Sequence, residues 1–231
     1  QRAVAPTYIF AGIILQKRRG APVLQILLDL STGQVSEGLV PGLKFMNVFS
    51  HLLNRSIAHV KRFNSRPQHF PESVAEHSFF VAYITTILCN LLKEAGEDIQ
   101  KEKAVEMALV HDMEESFSGD ILTPFKHYSK EVTFAIRKVN KEIIQDVFAD
   151  LPKELASHYV ALWNEEGEGE TKEAQLVKVA DKLSLVAKCA EEVKVGNEFF
   201  QEIYNSQLEW LQSYEKPWWE KIKNKILDTT Y

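Results

Sequence analysis

Residues 108–126 read ALVHDMEESFSGDILTPFK, an apolar opening followed by one histidine and four carboxylates. A helix end that only packs has no use for so much acid, whereas a site that holds a cation does. On a helix His111 and Asp112 point about 100° apart, so they can converge only from neighbouring edges of one face. Glu115 follows His111 by four residues and Asp112 by three, which places it beside both, while Glu114 sits less centrally. Two further candidates lie elsewhere in the chain. His77 follows the run PES-VAE, and Asp181 stands in LVKVADKLSLVAK among apolar residues. A carboxylate on such a stripe is costly unless it is paired or bound to metal. Two imidazoles and two carboxylates form a mixed N/O donor set, suited to Mn, Fe, Co, Ni or Zn rather than to Mg or Ca.

Taken singly, each of these residues has a plainer reading. His77 alone is a satisfied histidine, Asp181 a partner for Lys178 or Lys182, and Glu114 and Glu115 a solvated face. Glu76 reads as a cap. His51, His59, His69, His127 and His158 have no supporting spacing and read as structural. The order H…HD…D over three predicted helices is what favours a site.

The elements that must position these residues are mostly helical. Residues 44–60 read as a first helix. Ser73 and Glu76 form a capping box for a helix to about residue 94, with His77 in its first turns. GED at 96–98 breaks the pattern, and a helix from about 100 to 117 carries His111 and Asp112. Ser129 caps a helix through Phe148, and Pro152 opens one that ends near GEGE at 167–170. Residues 172–195 form a long helix stopped by Gly196-Asn197. Two more follow, with Pro217 at the start of the last, and Trp210, Trp218 and Trp219 pack on the core. Ahead of all this, TYIFAGIILQ and PVLQILLDL, separated by KRRGA, read as a β-hairpin.

Composition excludes several classes. The 231 residues carry 27 basic and 32 acidic side chains, a net charge of −5, with no basic cluster of the kind that binds a nucleic acid polymer. Two cysteines make no disulfide scaffold and lack zinc-binding spacing, which fits a cytoplasmic setting. No signal-peptide pattern is visible. The apolar run at 79–92 is too short to span a bilayer and reads as a buried helix, so no membrane partner is expected.

Three runs, KRFNSRPQHFPESVAEHS (61–78), HDMEESFSGDILTPFK (111–126) and KVADKLSLVAKCAEEVKVGNEFF (178–200), resemble the HD-domain metal-dependent phosphohydrolases. The likeness is closest to their 5′-deoxynucleotidase branch and covers roughly residues 47–212. It implies an all-α HD-domain helical bundle at 43–231, with residues 1–42 as a small N-terminal β-hairpin appendage. It also implies that His77, His111, Asp112 and Asp181 hold one divalent metal and that Glu115 is the catalytic carboxylate. Arg62 matches the arginine that contacts the substrate phosphate, Asp120 the aspartate against the sugar, and Thr123 and Lys126 the T-P-x-K run near the phosphate. Phe63 stands where that branch has Trp, a ring that crowds the ribose 2′ position, so the resemblance leaves the choice between deoxyribose and ribose open.

The implied reaction releases the 5′-phosphate of a nucleoside monophosphate, and the implied assembly is a homodimer. A bound metal would lower the pKa of water and offset phosphate charge. Two alternatives keep the same centre: a triphosphohydrolase, and a nucleotide-sensing protein with an inactive site.

Overall fold

The structure, a computed structural model, describes residues 15–16, 24–28, 35–38 and 44–228, with side chains from Val48 onward. The chain divides into two compact units at Asn47–Val48. In the first, β1 (Leu15–Gln16), β2 (Leu24–Leu28) and β3 (Val35–Gly38) pair antiparallel in that order, with Leu15 opposite Gln25 and Ile26 opposite Glu37. Most of the hairpin expected from sequence, residues 7–14, 17–23 and 29–30, lies outside the described residues.

The second unit is helical. In chain order the helices are α1 (Lys44–Leu53, which begins in the first unit), α2 (Val74–Glu94), α3 (Lys101–Val110), α4 (Glu115–Ser118) and α5 (Thr123–Lys126). They continue with α6 (Lys130–Val147), α7 (Lys153–Glu168), α8 (Lys172–Lys194), α9 (Gln201–Ser213), α10 (Pro217–Glu220) and α11 (Lys223–Leu227). α2, α3 and α8 pack on one another at the centre, joined by Val81, Leu88 and Leu92, by Met107, and by Leu176, Val177 and Ala180, all buried. Each fully buried Leu or Met contributes roughly 1.5–3 kcal/mol. Ile144, Phe148 and Leu162 close one side, and Trp218, Trp219 and Ile222 of the tail close another. The tail tryptophans pack inward as expected, with Trp219 Nε1 donating to the Leu211 carbonyl at 3.0 Å.

Two expected helices are shorter than the sequence pattern suggests. The first ends at Leu53, because Asn54 Oδ1 accepts the Ser56 N–H at 3.0 Å and a separate 3₁₀ turn follows at Ser56–His59. The helix expected over 100–117 stops at Val110. Backbone bonds from Met113 to Val110, Glu115 to Asp112 and Ser116 to Met113 span three residues rather than four, so 111–114 is a tight turn. The 79–92 run is only half buried: α2 turns Val81, Thr85, Leu88 and Leu92 inward and leaves Phe79, Phe80 and Tyr83 exposed. By length and composition α2 could also cross a bilayer, a property it shares with the core helices of water-soluble proteins.

The loop of residues 61–73 is tied to α8 by the fully buried carboxylate of Glu192. Its Oε2 accepts from His69 N (3.0 Å) and Asn197 Nδ2 (2.7 Å), and its Oε1 from Phe70 N (2.9 Å) and Lys188 Nζ (2.6 Å). Lys188 also donates to the Phe70 carbonyl, and Asn197 to that of Pro67. Burial works against the carboxylate charge, but Lys188 and the N–H donors hold the Glu192 pKa down at about 2. Its stabilising contribution is therefore complete above the ordinary value of 4.5 and disappears as pH falls towards 2. Glu192→Ala strands the buried Lys188 ammonium, and denaturant unfolding should show a loss of about 3–5 kcal/mol at pH 7. A loss within 0.5 kcal/mol of zero would mean that the loop is anchored elsewhere.

Candidate metal centre

The centre is assembled by the ends and middles of three helices. Ser73 Oγ accepts the Glu76 N–H at 3.2 Å and Glu76 Oε2 accepts the Ser73 N–H at 2.7 Å, the capping box read from sequence. This fixes the first turn of α2 and turns His77, 1% exposed, into the interior. His111 follows the last residue of α3, and its Nδ1 lies 2.8 Å from the Ala108 carbonyl, to which it donates. Asp112 is next in the tight turn. Asp181 sits midway along α8, flanked by the buried Val177, Val179 and Ala180. One turn later Ser184 Oγ lies 3.1 Å from His77 Nδ1.

His77 Nε2 is 3.1 Å from Asp181 Oδ1 and 3.8 Å from Asp112 Oδ2, and His111 Nε2 is 3.2 Å from the same Asp112 oxygen. One donor atom each from His77, His111 and Asp181 falls within 4.8 Å of the others. All four residues predicted as ligands thus meet in one place, although the α-helical spacing argued for His111, Asp112 and Glu115 does not apply across the turn.

The donor set fits a cation. Both Nδ1 atoms are engaged within the protein, so each ring turns its Nε2 inward, and both Nε2 atoms are buried with no hydrogen-bond partner. Leaving such an atom unsatisfied costs about 1–3 kcal/mol. The electrostatics agree. Burial alone would lower the His111 pKa, but Asp112 and Asp181 outweigh it and push it up to about 10. Against the cost of burial, the neighbouring imidazoles hold Asp112 and Asp181 well below the usual carboxylate range.

A second group of residues surrounds this quartet. Burial, and then Asp112, push the pKa of Glu115 up to about 8, with Lys126 opposing from 3.0 Å on Oε1. Lys126 ends α5, which begins at Thr123, and its carbonyl accepts from Thr133 Oγ1 at 2.7 Å. Gly119, at φ 73°, reverses the chain so that Asp120 Oδ2 accepts the Phe63 N–H at 2.9 Å. Phe63 is itself at φ 54°, a conformation disfavoured for a bulky side chain, and its ring meets the edge of Phe200 with 5.2 Å between centroids. The Arg62 guanidinium lies over the Phe63 ring and is paired with Glu72 Oε2 at 2.6 Å. Burial opposes its charge, yet Glu72, Asp181 and Asp112 raise its pKa further.

Sequence reasoning missed three contributors. Glu114, read as less central, is buried, accepts from Trp163 Nε1 at 2.7 Å, and has its pKa pushed up to about 7 by burial and then by Asp112. Glu166 is also pushed up to about 7 by burial, with Asp112 and Asp181 adding to the shift and His111 opposing it. The acidic run around it reads as a solvated loop and carries no signal of this. Ser184 could have been found, because it lies one turn from Asp181 on the same face.

The YfbR-like 5′-deoxynucleotidase family model matches residues 48–229. A 5′-deoxynucleotidase of Erwinia tasmaniensis is 36% identical over 131 residues, 56% of this chain and 65% of the relative, so the match spans just under two thirds of that protein. A 5′-deoxynucleotidase of Vibrio vulnificus is 31% identical over 153 residues, 66% of this chain and 77% of the relative. Among solved structures, an HD-domain phosphohydrolase of Listeria innocua superposes with a TM-score of 0.68 at 26% identity, covering 80% of this chain and 88% of that one.

Because Asp112 and Asp181 raise the His111 pKa, a metal entering at that imidazole competes with a proton. Calorimetric titration of metal-free protein with Zn²⁺ or Mn²⁺ in two buffers of different ionisation enthalpy should report about one proton released per ion. Asp112→Ala should abolish that uptake. Tight uptake with no proton release would contradict a protonated His111.

Proposed function

The chain belongs to the YfbR-like 5′-deoxynucleotidase family, and on that footing we propose that it hydrolyses the 5′-phosphate of deoxynucleoside and nucleoside monophosphates to nucleoside and inorganic phosphate. The observation that carries this reading is the pair of buried, unpartnered imidazole Nε2 atoms facing Asp112 and Asp181, next to a buried carboxyl, Glu115, with a raised pKa. In this reading residues 43–231 form the hydrolase and residues 1–42 an appendage to it.

His77, His111, Asp112 and Asp181 would hold one divalent transition metal, which supplies Lewis acidity to the phosphoryl group and lowers the pKa of water. Hydrolysis forms a bond from water oxygen to phosphorus and breaks the bond to the 5′ oxygen, which must gain a proton. Glu115, whose carboxyl pKa burial and Asp112 push upward, is the group that supplies that proton. Lys126 lies against Glu115 and offers a point charge to the phosphate. Arg62 commits one edge of its fork to Glu72 and offers its other donors to the phosphate oxygens. Thr123, at the start of α5, completes the phosphate side. Asp120 and Phe63, joined through the Phe63 N–H, form the wall against the sugar. A phenyl ring occupies less of the space near the 2′ position than an indole, so ribonucleotides are admitted as well.

Support for a homodimer comes from Phe79, Phe80 and Tyr83, which form an exposed aromatic face on α2 that a second copy would cover. Support for a cytoplasmic setting comes from Cys89 and Cys189, both free and buried, with thiol pKa values pushed up by burial to about 11 and about 12.

Chromatography of products from ribo- and deoxyribonucleoside mono- and triphosphates, with Mn²⁺ or Co²⁺ and with chelator, tests the reading. Nucleoside should appear from monophosphates and only with metal. Tripolyphosphate released from triphosphates would reassign the chain as a triphosphohydrolase, and no turnover by metal-loaded protein would make it a sensor. Glu115→Gln should bind metal normally and lose about 10²–10⁴-fold in kcat. Unchanged turnover in that variant would remove Glu115 from the mechanism.

A further inference from the structure

A cavity of about 820 Å³ opens between α6 and the α7–α8 connection. On an exposed face of α6, Phe134 lies three and four residues before Arg137 and Lys138, which lie four and three before Lys141, and Lys178 of α8 and Trp163 of α7 line the same cavity. The four cationic side chains enter no hydrogen bond or ion pair among the described residues. Glu168 and Glu166 also line the cleft, the latter facing Lys178 and pushed towards neutrality by burial, so positive charge predominates there on a chain whose net charge is −5. Concentrating unpaired cations in a concave, partly apolar site raises the local concentration of anions.

The aromatic lining narrows the choice of ligand. Phe134 is 71% exposed, so its ring face is open. Trp163 spends its only donor on Glu114, so it offers the cleft its ring rather than a hydrogen bond. Stacking faces beside several cations suit a ligand with a planar base at one end and several phosphates at the other. The volume lies within the roughly 300–1,000 Å³ usual for small-ligand sites. None of the quartet, nor Glu115, Arg62 or Lys126, lines this cavity.

We propose that the α6–α8 cleft is a second ligand site that binds a nucleoside polyphosphate, with its phosphates on Arg137, Lys141 and Lys178 and its base against Phe134 and Trp163. The cleft adjoins the metal centre through Trp163, Glu166 and Lys178 but contains none of its proposed ligands, and it does not depend on which ester that centre cleaves.

Calorimetric titration of the full chain in chelator, with ATP and with inorganic tripolyphosphate as probes, tests this. ATP should bind wild type and Arg62→Ala equally, and bind the Arg137→Ala/Lys141→Ala double variant roughly tenfold more weakly or not at all. Phe134→Ala should weaken ATP and leave tripolyphosphate unchanged. Phe134, Arg137 and Lys141 are exposed, so circular dichroism and melting of these cleft variants should match wild type, and Lys178→Ala serves as an independent cleft variant. Three outcomes would overturn the proposal: no ATP binding to wild type, ATP binding that follows Arg62 and ignores the cleft variants, or tripolyphosphate binding as tightly as ATP.

Discussion

Two imidazoles and several carboxylates cannot share a few ångströms of protein interior without a positive charge to balance them. Every element around the centre responds to that constraint. His111 retains a proton far above its ordinary range, Asp112 and Asp181 stay ionised in spite of burial, and Glu114, Glu115 and Glu166, further from any imidazole, are driven towards neutrality. Four side chains of this arrangement are held by a further contact: Ser184 on His77, the Ala108 carbonyl on His111, Trp163 on Glu114 and Lys126 on Glu115. Packing among α2, α3 and α8 then provides the rigidity that keeps like charges close together.

Local chemistry was the legible part of the sequence. The capping boxes and caps depend on residues within three positions of each other, and Ser73 with Glu76 and Ser129 both act where expected. The four residues proposed to hold a metal also drew attention in the sequence and lie together in the structure, because a histidine or aspartate among apolar neighbours stands out against its surroundings. The ends of elements were less visible. The helix carrying His111 stops at Val110, although the residues beyond it have good helical propensity, because the turn is closed by three-residue bonds that no pattern announces. Tertiary pairing was hidden altogether. Lys188 and Glu192 stand one turn apart with no signal in the neighbouring sequence, and the 61–73 loop packs over them.

The proposed substrate side of the centre is less rigid in origin than the proposed metal side. Arg62, Phe63 and Asp120 come from two loops rather than from helices, and Phe63 keeps an unfavourable backbone conformation that Asp120 helps to hold. Loops can change sequence more freely than the packed helices beneath them, so selectivity for the sugar can drift while the metal set stays in place.

Asp181 and Glu192 are eleven residues apart on α8, close to three full turns, so they emerge on the same side of the helix. One points at the metal centre and the other grips the loop that carries Arg62. A single inserted or deleted residue between them would rotate one relative to the other by about 100°. Either the metal set or the phosphate loop would then lose its anchor. The length of that stretch of α8 is therefore held to whole turns, whatever residues occupy its outward face.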